Sequence, residues 1–172
     1  MLKEPNSVSN QFKTCGKKVT AWIVILDNIP TLIMYFLGAL IIYQSSHILA
    51  LLYCIYSLLS IVCFWARICT YCHYYGKPSC PCGYGIISAR LFKKKKGKDF
   101  KTVFKKNIPV LFPSWFIPPI WGGYFLIHHY SNKMLFIVIL FCLFAFILIP
   151  LISKQAGCKN CEIRDNCPWM NK

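Results

Sequence analysis

Residues 134–152 read MLFIVILFCLFAFILIPLI, without one charged or strongly polar side chain. A helix of about 20 mostly apolar residues crosses about 30 Å of hydrocarbon. The stretch therefore predicts a membrane-spanning helix. Three more segments meet the same criterion: about Ala21 to Tyr43, His47 to Ile68, and Ile108 to Tyr130. One apolar helix can be buried in a large globular protein. Four within 172 residues leave too little chain to bury them. The fold class is accordingly an all-α integral membrane protein with four transmembrane helices.

Composition agrees. The chain is 56% hydrophobic and only 15% charged, whereas soluble domains carry about a quarter charged residues. Its formal net charge is +15. Nucleic-acid binders are basic too, but they lack long uncharged stretches, and no nucleic-acid motif is present, so no nucleic-acid partner is expected. The first apolar segment is too long for a signal peptide. It carries Asp27, Asn28 and Pro30, and no small-x-small cleavage site follows it. It reads as a retained span.

Basic residues in short flanking loops orient a membrane protein, with Lys and Arg on the cytosolic side. Lys3, Lys13, Lys17 and Lys18 lie in the N-terminal tail. The loop between the second and third spans, with Arg67 at its edge, holds eleven basic residues. Lys154, Lys159, Arg164 and Lys172 follow the fourth span. The two opposite loops contribute only Lys133. Nineteen of twenty basic residues thus fall on one side, which predicts cytosolic N and C termini. The chain then divides into an N-terminal tail (1–20), a first hairpin (21–68), a cysteine-rich basic loop (69–107), a second hairpin (108–152) and a cysteine-rich tail (153–172).

This orientation places eight cysteines in the cytosol. The central loop reads CTYCHYYGKPSCPC from Cys69 to Cys82, with Cys72 and Cys80 between them. The tail reads CKNCEIRDNC, contributing Cys158, Cys161 and Cys167. Cys15 is the eighth. Cytosolic thiols stay reduced, and clustered cysteines there bind metal or carry redox chemistry. A Cys-x2-Cys turn aims two thiolates at one ion. Gly76, Pro78, Pro81 and Gly83 supply tight turns that return the second pair to the first. The expected result is a cysteine-rich cap with a site of four thiolates, holding zinc or an iron–sulfur cluster. Cys15 and His73 are further candidate ligands. Cys54, Cys63 and Cys142 lie inside spans and read as packing residues.

Three resemblances touch these motifs. The tail spacing Cys-x2-Cys-x5-Cys resembles part of the auxiliary-cluster motif of SPASM-type radical enzymes, with Asn171 where that pattern has its fourth cysteine. Cys69 to His73 resembles the Cys-x-x-Cys-His sequence that attaches c-type haem, a chemistry of the opposite side of the membrane. Four spans with a cysteine-rich loop between the second and third are similar to DHHC-type palmitoyltransferases. No Asp-His-His-Cys is present, so the resemblance does not imply transferase activity.

Between Ile86 and Lys106 apolar residues at helical spacing (Ile87 and Leu91; Phe100, Val103 and Phe104) alternate with Lys runs. Two short helices on the inner leaflet are expected, divided by Gly97. Lys93, Lys94, Lys95 and Lys96 would face anionic lipid. The third span contains Pro113, Pro118, Pro119, Gly122 and Gly123. It is expected to be broken, either as a kinked packing helix or as the wall of a pathway. Asp27 is the only acid in a span and a functional candidate for that reason. His47, His128 and His129 lie at the outer edge.

No nucleophile–base pair or nucleotide motif indicates a specific enzyme. The leading functional expectation is a membrane protein with a cytosolic thiolate metal centre. The alternatives are handling of a small ligand or metal through the third span, membrane thiol-redox chemistry, and a non-catalytic scaffold that binds a cytosolic protein.

Overall fold

The computed structural model describes residues 21–97 and 99–158, with the side chains of 22–97 and 99–155. All regular elements among the described residues are helical, with no strand. Helix α1 is Ala21–Tyr43 and α2 is His47–Arg67. Only three residues join them, which forces an antiparallel hairpin. Ser46 caps α2, its hydroxyl accepting from Leu49 N at 3.4 Å. A 3-10 turn (Cys69–Tyr71), α3 (Tyr84–Leu91) and α4 (Phe100–Asn107) form the central loop. Gly97 separates the last two at a φ of 91°. A second 3-10 turn, Ile108–Leu111, leads into α5 (Phe112–His128).

The last span is segmented. It comprises α6 (Asn132–Cys142), a π-helical turn (Leu143–Leu148), α7 (Ile149–Ile152) and a second π-helical turn (Ser153–Cys158). Pro150 accounts for the first π turn. It lacks the N–H that would reach Phe146, so the ladder widens ahead of it.

Four helical stretches are long and apolar enough to cross a membrane: Trp22–Tyr43, His47–Tyr71, Phe100–His128 and Asn132–Gln155. Burial follows the same logic from inside out. Ser57, Ser60, Ser88 and Ser114 are buried, while Ile48 (73%), Ile120 (68%) and Ile127 (82%) stand exposed. Water would not tolerate that surface as a monomer's exterior; hydrocarbon does. Helices α1 and α5 form a central pair, and α2 and α6 each pack against both. Met34, Leu37 and Ile41 of α1 meet Met134, Phe141, Ala145 and Ile149 in the core. Of the expected surface stripes, Ile87 and Leu91 are exposed, but Val103 and Phe104 are buried against the protein.

The third span is less broken than its prolines suggest. Pro113 falls in the first turn of α5, where no N–H is required. Pro118 and Pro119 lie inside a continuous helix. Pro118 cannot donate to the Ser114 carbonyl four residues earlier. The Tyr53 hydroxyl, from α2, donates to that carbonyl at 3.0 Å. Pro113 likewise leaves Val110 without a 3-10 donor, and the Tyr56 hydroxyl fills the gap at 2.8 Å. Space for Tyr53 comes from Gly38 in α1. A Cβ there would stand 2.4 Å from the Tyr53 oxygen and 3.0 Å from Pro118 Cγ. Thus one tyrosine, one proline and one glycine hold three helices together.

Replacing Tyr53 with Phe should leave the Ser114 carbonyl unmet and cost about 1 to 2 kcal/mol. The loss would appear as a lower midpoint for thermal unfolding in detergent. In a Pro118→Ala background, where the helix regains its own donor, the same substitution should cost much less. Equal losses in both backgrounds would contradict the pairing.

Candidate functional site

The central loop folds into a compact cap at the Arg67 end of α2. Its turns are closed mainly by backbone bonds. Cys72 N–H donates to Cys69 O at 3.1 Å, Cys80 N–H to Lys77 O at 3.3 Å, and Gly83 N–H to Cys80 O at 3.1 Å. Gly76 N–H reaches Gly85 O at 3.0 Å, drawing the two halves of the loop together. Gly76 and Gly83 adopt positive φ, near 72° and 73°, as the turn residues were expected to do. Ser88 Oγ donates to Trp65 O at 2.9 Å and ties α3 to α2.

The four loop cysteines are brought into one neighbourhood. Cys69 and Cys80 are buried, while Cys72 and Cys82 are partly covered. Cys72 and Cys80 are the electrostatic neighbours of Cys69, and Cys80 and Cys69 are neighbours of Cys82. No three side chains of His, Cys, Asp or Glu converge closely enough to hold a metal ion among the described residues. A closed four-thiolate site is therefore not assembled from the central loop by itself. One sulfur is otherwise engaged: Cys80 Sγ accepts from Gly85 N at 3.4 Å. His73 is turned toward Lys77, whose Nζ donates to His73 Nε2 at 3.0 Å. Cys158 closes the last helical turn, but its side chain, and Cys15, Cys161 and Cys167, lie outside the described residues.

Asp27 is the junction of the assembly. It accepts from Ser153 Oγ, beyond α7, at 3.2 Å, and its charge acts on Cys82 of the cap. Its neighbour Asn28 donates to Cys82 O at 3.1 Å and to Val24 O at 2.7 Å. One turn of α1 thereby ties down the cap and the end of the fourth span. Sequence reasoning singled out Asp27 but missed Asn28 and Ser153. A polar Asp-Asn pair near the end of an apolar span was the available signal.

Burial pushes the Cys82 thiol well above its ordinary range, and the neighbouring Asp27 charge pushes it the same way. The Tyr84 hydroxyl is raised chiefly by burial and then by Cys82. A thiol held this way keeps its proton at neutral pH, the opposite of an activated nucleophile.

The Lys run divides by role. Lys95 N–H bonds Thr70 O at 3.1 Å, and its Nζ reaches Ala66 O at 3.4 Å, against the end of α2. The Lys94 ammonium stands 6.0 Å from the centre of the Tyr75 ring. All four lysines are exposed, and Lys93 and Lys96 make none of these contacts. No protein family matches this chain, and neither the curated proteins nor the solved structures provide a match.

The raised Cys82 thiol has a direct consequence for alkylation. Thiolate, the reactive form, appears only as pH climbs above the usual thiol range. Iodoacetamide labelling at pH 8, read at Cys82 by mass spectrometry, should run at least about tenfold slower than at an ordinary thiol. Asp27→Asn removes the neighbouring charge and should speed it. Fast labelling of Cys82 in the unmodified protein would refute the assignment.

Proposed function

We propose that this chain is a multi-pass protein of the cytoplasmic membrane, with its termini and cysteine cap in the cytosol. Its cap and C-terminal tail together hold a thiolate metal centre, zinc or an iron–sulfur cluster. The observation that supports this reading most is the hold of two adjacent residues of α1, Asp27 on the Ser153 hydroxyl at 3.2 Å and Asn28 on Cys82 O at 3.1 Å. Ser153 precedes Cys158 by five residues, a rise of about 7 to 8 Å in a helix. The last described turn, ending at Cys158, consequently lies on the cap's side of the bundle.

Charge supports the orientation, since nineteen of twenty basic residues share the cap's side. The division of labour within the cap also bears on the ligand set. Asn28 anchors Cys82 through its backbone carbonyl at 3.1 Å, so Cys82 serves as a support in this reading. Cys69 and Cys72, in one Cys-x2-Cys turn, supply one pair of thiolates. Cys158 and Cys161, with the same spacing, supply the other. Two pairs from two segments make a centre that no set of three loop residues forms alone. Such a centre clips the loop to the tail, and metal binding there releases thiol protons.

Metal analysis and absorbance of the full chain, purified without air, test this reading. About one centre per chain is expected. Colourless protein with zinc identifies a structural knot; iron, sulfide and visible absorption identify a cluster. Cys69→Ser with Cys72→Ser, and separately Cys158→Ser with Cys161→Ser, should each abolish binding while helix content stays unchanged. Metal-free wild-type protein would refute the centre, and metal retained without the tail pair would refute its bridging form.

A further inference from the structure

A groove of about 600 Å³ opens at the cap end of the bundle. Arg67, Tyr71 and Lys95 form one wall; Asp99, Thr102 and Lys106 form the other. Arg67 is the last residue of α2. Lys95 is pinned against that helix end by the two bonds to Thr70 and Ala66. Helix α4 supplies Asp99, Thr102 and Lys106 at spacings of three and four, which puts them on one face. No carboxylate pairs with Arg67, Lys95 or Lys106 among the described residues. Asp99 is occupied as the cap of α4, accepting from Thr102 N at 3.2 Å and from Thr102 Oγ1 at 3.5 Å. Three cations against one carboxylate leave a formal charge of +2 around the groove.

We propose that this groove binds the phosphate of an anionic phospholipid in the leaflet on the cap side. A guanidinium and two ammonium groups converging from three segments suit a phosphate oxygen cluster. Tyr71 and Thr102 add hydroxyls. Depth favours a lipid over a soluble phosphate. Arg67 closes the apolar run of α2, and α4, with Lys101, Lys105 and Lys106, precedes the apolar run of the third span. The groove therefore sits at the level of the headgroups. The site selects particular cations, in contrast to a diffuse attraction by the whole Lys run. Its basis is independent of the thiolate centre.

The test uses the full chain in mild detergent, titrated with phosphatidylglycerol or phosphatidylcholine and read by native mass spectrometry. The wild type should retain phosphatidylglycerol in clear preference. Arg67→Gln with Lys106→Gln should weaken that retention about tenfold or more. Lys93→Gln with Lys96→Gln removes the same charge outside the groove and should change it less than about twofold. Equal losses in the two pairs would mean diffuse electrostatics and overturn the site. So would the absence of a preference for the anionic lipid. Inorganic phosphate that displaces the lipid at millimolar concentration would assign the groove to a soluble anion and overturn the lipid reading. If the first pair does not fold, Lys106→Gln alone, exposed on α4, should still lower retention several-fold; no change would overturn the proposal. Metal content should be the same in all of these variants.

Discussion

Hydrocarbon offers no hydrogen bonds, so every backbone group inside it must find a partner in the protein. The Ser114 carbonyl is where this constraint bites, because Pro118 removes its helical donor. Tyr53 restores the bond from a different helix, and Gly38 of a third makes room for the ring. The bond sets how close α1, α2 and α5 stand. Three residues further along α2, Tyr56 repeats the arrangement at Val110. Two bonds fix the rotation and the sliding of α2 against α5 where one would not. The relative heights of Arg67, at the end of α2, and Lys106, before the third span, follow from that register. The basic groove is thus a consequence of how prolines are accommodated deeper in the bundle.

At the same end, Asp27 and Asn28 play a comparable part for the cap. A carboxylate near the edge of the membrane is costly unless it is bonded. Here it takes up the Ser153 hydroxyl while its neighbour Asn28 holds Cys82 O, in segments far apart in the chain. The cap packs Tyr84 against Phe64 and Trp65 of α2. It relies as well on turns closed by backbone bonds, and on Asn28 and Ser88. Its cysteines consequently differ in character although they look alike in the motif. Cys80 accepts from a backbone N–H, Cys82 is held through its carbonyl by Asn28, and Cys69 is buried.

Some of this was legible beforehand and some was not. The spans were, and their limits shifted by only a few residues, His128 replacing Tyr130 at the end of the third. Two short helices separated at Gly97 were also visible. The prolines of the third span pointed to a break because the rescuing hydroxyls lie about sixty residues away, on α2. Pro150 was a signal for the π turn in the fourth span, hidden by the uniformity of the apolar residues around it. The Lys run appeared as four equivalent charges. Only the fold turns Lys95 against α2 and leaves Lys93 and Lys96 outward.

Number of spans and sidedness of charge depend on sums over local windows: apolar surface to match hydrocarbon, and Lys and Arg counts in short loops. Such sums need no partner, so the sequence by itself determined the four helices long and apolar enough to span and set the expectation of sidedness. Which tyrosine meets which orphaned carbonyl, which thiol stands near Asp27, and which three cations face one groove depend on contacts between segments distant in the chain. Those contacts exist only after the helices have packed, and the tertiary structure alone decided them.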